Sequence, residues 1–142
     1  MVKIIDATKL RVGRLATYVA HQALLGEKII LINCEKAVIS GTRGYIIEHY
    51  KFEIDERGGA THGPYYPRQP HLIVRRAIRG MLPYQTDRGK KAYARITCFM
   101  GVPKQYANQK IETVESASAS KLSSGKYLSI KQIASEIGYK HG

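Results

Sequence analysis

At 142 residues and 44% apolar, the chain is long enough for one domain with a hydrophobic core, and no apolar run in it reaches the length of a membrane span. Its 23 Lys and Arg against 11 Asp and Glu leave a net charge of +12, which says little about fold but points to an acidic partner, nucleic acid first. Two cysteines make neither a disulfide framework nor the four-ligand set of a structural zinc.

In chain order, "VKIIDA" is a short apolar run of the kind a buried strand uses. Asp6, Lys9 and Arg11 interrupt the N-terminal apolar residues, so a signal-peptide core is missing and a soluble, intracellular protein is expected. "KLRVGRLATYVAHQALLG" has helical period: Val12, Leu15, Ala16, Val19 and Ala23 share one side, Arg14, Tyr18 and His21 the other, and Gly26 stops it. "KIILINC" and "AVIS" read as two more strands, and "TRGYIIEHYKFEI" as a second helix despite Gly44. The strand–helix–strand opening predicts a parallel, helix-covered sheet. "RGGATHGPYYPRQP", rich in Gly and Pro, is a long loop of the kind that carries function. "HLIVRRAIRGML" then reads as a helix ended by Pro83, "TDRGKKAYAR" as a helix entered at Thr86, and "ITCFMG" as a core strand. Residues 116–125 are small and polar, a surface linker, and "LSIKQIASEIGY" closes the chain as a helix capped by Ser129.

The charge is a patch. Residues 57–111 hold eleven basic side chains and a single acid, Asp87, whereas the flanking segments are nearly balanced. On the helical wheel of "RRAIRGMLP", Val74, Ala77, Ile78 and Met81 fall on one side, and Arg75, Arg76 and Arg79 lie within about 100° of one another opposite them. One face packs while the other presents guanidiniums, whose planar forks match phosphate oxygens. Gly80 admits a partner close to the backbone. Arg88, Lys91 and Arg95 recur at spacings of three and four, with Lys90 beside them. Two basic faces joined by a tight turn suit a folded polyanion; a merely solvated face would mix its signs. Tyr65 and Tyr66 beside Arg68 could stack on unpaired bases, or could pack the loop.

Enzymatic patterns are weak. "GTRG" and "SSGK" lack the spacing of a phosphate-binding P-loop. The five histidines show no metal-ligand pattern, and Cys34 ("LINC") and Cys98 ("ITCFM") read as buried hydrophobes. Glu53, Asp55 and Glu56 could suggest a metal-dependent nuclease, but read more simply as a charged surface.

The segments "VGRLATYVAHQALLG", "VISG", "HGPYYPRQP", "RRAIRGMLPYQTDRGKKAYARITCFMGVP" and "KYLSIKQIASEIGYK" together resemble the large-subunit ribosomal protein L13 family in its archaeal–eukaryotic form. Arg-Gly-Met-Leu-Pro followed by a helix opening on Arg-Gly is the most specific of these. The resemblance implies one α/β/α three-layer domain over residues 1–142 around a four-stranded, largely parallel sheet, with a basic loop–helix–turn–helix region at about 57–104 and a C-terminal helical extension at about 116–142. It implies binding of large-subunit rRNA and neighbouring ribosomal proteins, a role in ribosome assembly and translation on the cytoplasmic ribosome, and no catalysis, cofactor, metal, membrane or small-molecule substrate. The RNA-facing positions would be Arg68, Arg75, Arg76, Arg79, Gly80, Arg88, Lys90, Lys91 and Arg95, with Tyr65 and Tyr66. Gln85 and Asp87 depart from the family, whose members often carry basic residues there. The competing reading is a free RNA-binding translational regulator that uses the same face.

Overall fold

Two five-residue strands, Val2–Asp6 (β1) and Lys28–Ile32 (β2), run parallel and in register, Val2 opposite Lys28 and Asp6 opposite Ile32. A crossover helix, Val12–Leu24 (α1), joins them as a parallel pair requires. Its buried side chains are Val12, Leu15, Ala16, Val19, Ala20 and Ala23, the predicted stripe widened by Ala20. Gly26, at φ +101°, supplies the left-handed residue after the helix. In this computed structural model residues 2–55, 68–114, 117–118 and 126–139 are described.

The remaining elements are Val38–Ser40 (β3), Arg43–Asp55 (α2), Pro70–Arg79 (α3), Asp87–Ala94 (α4), Ile96–Cys98 (β4), Tyr127–Ser129 (β5) and Ile130–Glu136 (α5), with 3-10 turns at Cys34–Lys36 and Lys104–Tyr106. β4 joins β2 in parallel, giving the strand order β1-β2-β4. β3 does not enter this sheet. It pairs antiparallel with β5, Val38 opposite Ser129. The expected four-stranded sheet is therefore a parallel sheet of three and a separate ribbon of two among the described residues. Periodicity marks a strand but carries no information about its partner, and β5, hidden in the run-up to the last helix, went unread in the sequence.

Alternation sorts the sheet's side chains onto two faces. Ile5, Ile29, Leu31, Ile96 and Cys98 enter the main core with α1, α3 and α5, whereas Ile4, Ile30 and Ile32 point the other way, against Phe99 and Tyr106. The second face is thus covered by a 3-10 turn and its neighbours, not by a described α-helical layer, so the fold is mixed α/β with a parallel sheet. Both cysteines are buried, as expected. α5 begins on the predicted cap: the Ser129 hydroxyl accepts the Gln132 N–H, and the Gln132 side chain accepts the Ser129 N–H.

Candidate nucleic-acid interface

α3 opens on Pro70, where a missing N–H leaves nothing unsatisfied, and ends at Arg79. Pro70, Ile73, Val74 and Ile78 are buried, so the centre of the apolar arc lies opposite Arg79, while Arg75 and Arg76 sit at its two borders. Met81 departs from the wheel: it is 45% exposed, and Leu82, at 7%, fills the core in its place. The helix stops two residues earlier than Met81, and beyond its end the regular step per residue no longer applies.

The turn after α3 is held by its own backbone. The Tyr84 N–H donates to the Leu82 carbonyl at 2.8 Å and the Thr86 N–H to the Pro83 carbonyl at 3.0 Å. Thr86 then caps α4, its hydroxyl donating to the Pro83 carbonyl at 2.7 Å and accepting the Gly89 N–H at 3.1 Å. A Cβ on Gly89 would overlap the Pro83 carbonyl and stand 2.9 Å from the Tyr84 nitrogen, so α4 rests directly on the turn's backbone. In the sequence Gly89 stood only as part of the Arg-Gly motif that opens the helix, and Gly80 was the glycine given a role; there, among the described residues, an added Cβ would meet only the Ala77 carbonyl at 3.5 Å and the Arg76 carbonyl at 3.9 Å. The available signal was a glycine inside a helix, three residues after its N-cap.

The basic side chains divide by what they touch. Arg88, Lys90 and Lys91 are exposed on α4, and Arg68 is exposed before α3, its Cδ and Nε lying beside Gly138. Arg79, half-buried, lies over the Tyr84 ring at 4.3 Å, Tyr84 meets Tyr93 edge-on at 5.4 Å, and Arg75 covers Tyr93 at 3.9 Å. This row, Arg79–Tyr84–Tyr93–Arg75, stiffens the α3–α4 corner. Neither tyrosine was singled out in the sequence, although each stands among basic residues. The Arg75 Nε also donates to the Ile96 carbonyl at 3.2 Å and its Nη2 to the Tyr93 carbonyl at 3.4 Å. Arg95, the C-cap of α4, is half-buried, unlike Arg88 and Lys91, and its Nη1 donates at 2.8 Å to the Ala23 carbonyl in the last turn of α1. Arg76 is half-buried. Tyr65, Tyr66 and Glu56 lie outside the described residues, as do the side chains of Glu53 and Asp55.

Beside the turn lies an open depression of about 450 Å³ lined by Arg79, Gly80, Leu82, Pro83, Tyr84, Gln85 and Thr86. It offers a guanidinium, an aromatic edge and a hydroxyl, and Asp87 is the only acid on the two helices and their turn. Such a lining suits a phosphate-bearing ligand rather than a cation. His71, in the first turn of α3, has a buried Nδ1 without a hydrogen-bond partner among the described residues. Burial holds its pKa below the usual 6.5, against the opposing pull of Glu35. Among the described residues no group of three His, Cys, Asp or Glu could hold a metal ion, and no helix is long and apolar enough to cross a membrane.

Residues 1–105 match the family model of Ribosomal protein L13. The chain is 40% identical to the large ribosomal subunit protein uL13 of Archaeoglobus fulgidus, over 96% of this chain and 88% of that one. It is 43% identical to the protein of the same name from Methanosarcina barkeri, over 96% and 98% of the two chains. The Methanococcoides burtonii uL13 is 42% identical with the same coverage.

Proposed function

The chain belongs to the ribosomal protein L13 family, and from that membership we propose that it is a structural constituent of the large ribosomal subunit. It binds large-subunit rRNA, meets neighbouring ribosomal proteins, and works on the ribosome in the cytoplasm as a non-enzymatic part of assembly and translation. The observation that supports the RNA-binding part is the α3–α4 corner. Exposed Arg88, Lys90 and Lys91 stand on a helix whose first turn is seated on the backbone of the turn that joins it to α3, the helix of Arg75, Arg76 and Arg79.

Arg68, Arg76, Arg79, Arg88, Lys90 and Lys91 are the contacts we assign to phosphate, with Gly80 allowing close approach and Tyr65 and Tyr66 available for stacking. Arg75 and Arg95 spend hydrogen bonds on backbone carbonyls; they hold the corner in place and contribute their charge to its field. Preorganisation of this kind lets a rigid face meet folded RNA without further ordering cost.

Density-gradient fractionation of a cell extract, followed by immunodetection, tests the proposal. The protein should comigrate with large subunits in near-stoichiometric amount. A predominantly free pool would favour the regulator reading instead.

A further inference from the structure

The described glycines divide in an informative way. Gly26, Gly41, Gly101 and Gly138 have positive φ, and Gly89 faces backbone at overlap distance, so each has a reason inside the fold. Among the described residues, Gly13, Gly44 and Gly80 have none: their backbones are not left-handed, and an added Cβ would meet nothing within 4 Å, or for Gly80 only ordinary contact. Gly13 lies in α1, where glycine weakens a helix relative to alanine. Among the described residues, nothing accounts for a missing side chain there.

Gly13 lines a groove of about 450 Å³ between the first turns of α1 and strand β3, together with Arg11, Arg14, Thr17, Ile39 and Ser40. Among the described residues no acid lines this groove. Arg14 and Ser40 are exposed, whereas the Arg11 Nε donates to the Ala117 carbonyl at 3.3 Å. Thr17 also lines the groove, and its hydroxyl donates to the Met81 sulfur at 3.4 Å, next to Gly80 on the α3–α4 turn. The groove therefore adjoins the corner described above.

We infer that this groove is a second RNA-backbone site, in which a sugar–phosphate strand passes over Gly13 and is held by Arg14, while the corner around Gly80 holds another part of the same folded RNA. The inference rests on the reading of the α3–α4 corner as an RNA-binding face. Glycine lets a backbone approach closely, and a guanidinium pairs with phosphate there.

The test measures binding of the full chain to deproteinised large-subunit rRNA over a range of salt, with urea unfolding of each variant alongside. Gly13→Ala should unfold at the same or higher urea concentration than the parent and yet bind RNA several-fold more weakly. Arg14→Ala should weaken binding about tenfold or more and reduce the log–log salt slope by about one. Ser40→Glu, at an exposed position, should weaken it by repulsion. In hydroxyl-radical footprinting these variants should lose protection at nucleotides other than those lost by an Arg88→Ala, Lys91→Ala double variant. If the three groove variants bind like the parent while the double variant is weakened, the groove is not an RNA site and the reading of the corner stands. If the double variant also binds like the parent, the corner reading itself fails. Unfolding of Gly13→Ala at lower urea would show an internal reason for the glycine and overturn the inference.

Discussion

Gly80 and Gly89 bracket the α3–α4 turn and answer opposite demands. Gly89 has no room for a Cβ, because Pro83 and Tyr84 backbone atoms already occupy the space, whereas Gly80 has room and is exposed. Gly89→Ala should therefore destabilise the domain by about 3 kcal/mol or more, since rigid backbone must move. Gly80→Ala should be neutral or stabilising by up to about 1 kcal/mol. Urea unfolding midpoints of the two variants check this contrast. His71 supplies a pH dependence. Its pKa is lowered by burial from 6.5, with Glu35 opposing, so in the window just below about pH 6.5 the unfolded chain holds more protons than the folded one. Stability then rises with pH across that window, is complete above it, and is lost as pH falls through it. The parent should lose stability from pH 7 to pH 5 relative to His71→Gln, measured by unfolding at each pH. Asp6 acts lower. Burial raises its pKa, but hydrogen bonds from Thr8 and Asn33, with Lys36 nearby, outweigh burial and hold it below 3.8. Its contribution is lost only in more acidic solution.

At the scale of elements, α3 is the part whose two faces do different work. Ile78 is fully buried, and Arg79, next to it in sequence, lies over Tyr84. Ile78→Ala should cost about 2–5 kcal/mol, the range for large-to-small core changes. Arg79→Ala should cost only about 0.5–1 kcal/mol, the worth of an exposed cation–π contact. It should instead weaken RNA binding about ten- to a hundred-fold, as expected for loss of a charge-assisted contact. Paired unfolding and binding measurements separate the two effects; Arg79→Ala that unfolds the domain but binds normally when folded would reverse the assignment of faces. α4 depends on α3 through the same corner. Arg75 reaches across it to the carbonyl of Ile96 on the three-residue strand β4, tying sheet, turn and both helices together.

Over the whole molecule, the +10 carried by residues 57–111 is gathered rather than spread. Neutralising about six phosphates should give a log–log salt slope of about −4 to −5 for structured RNA, from the counterion-release coefficients for single strands and duplexes. A filter-binding titration from low to high salt measures it, and a slope near zero would remove the electrostatic basis of the interface. The same segment also supplies packing: Phe99 and Tyr106 close the sheet's second face around Ile4, Ile30 and Ile32, while Lys104, in the 3-10 turn that carries Tyr106, stays exposed.

The sequence by itself determined the helices, the existence of strands β1 to β4, the α1 stripe, the Thr86 and Ser129 caps and the location of the basic region, because periodicity, capping chemistry and charge are local properties of the chain. Its motifs also carried the family resemblance. Tertiary structure alone decided that β3 pairs with β5, that Met81 turns outward while Leu82 turns in, and that Arg75 and Arg95 hold carbonyls while Arg88 and Lys91 remain exposed. Those outcomes depend on which distant backbone atoms come within reach. A guanidinium beside a free carbonyl takes it, and nothing in the spacing of arginines along a chain records where that carbonyl will be.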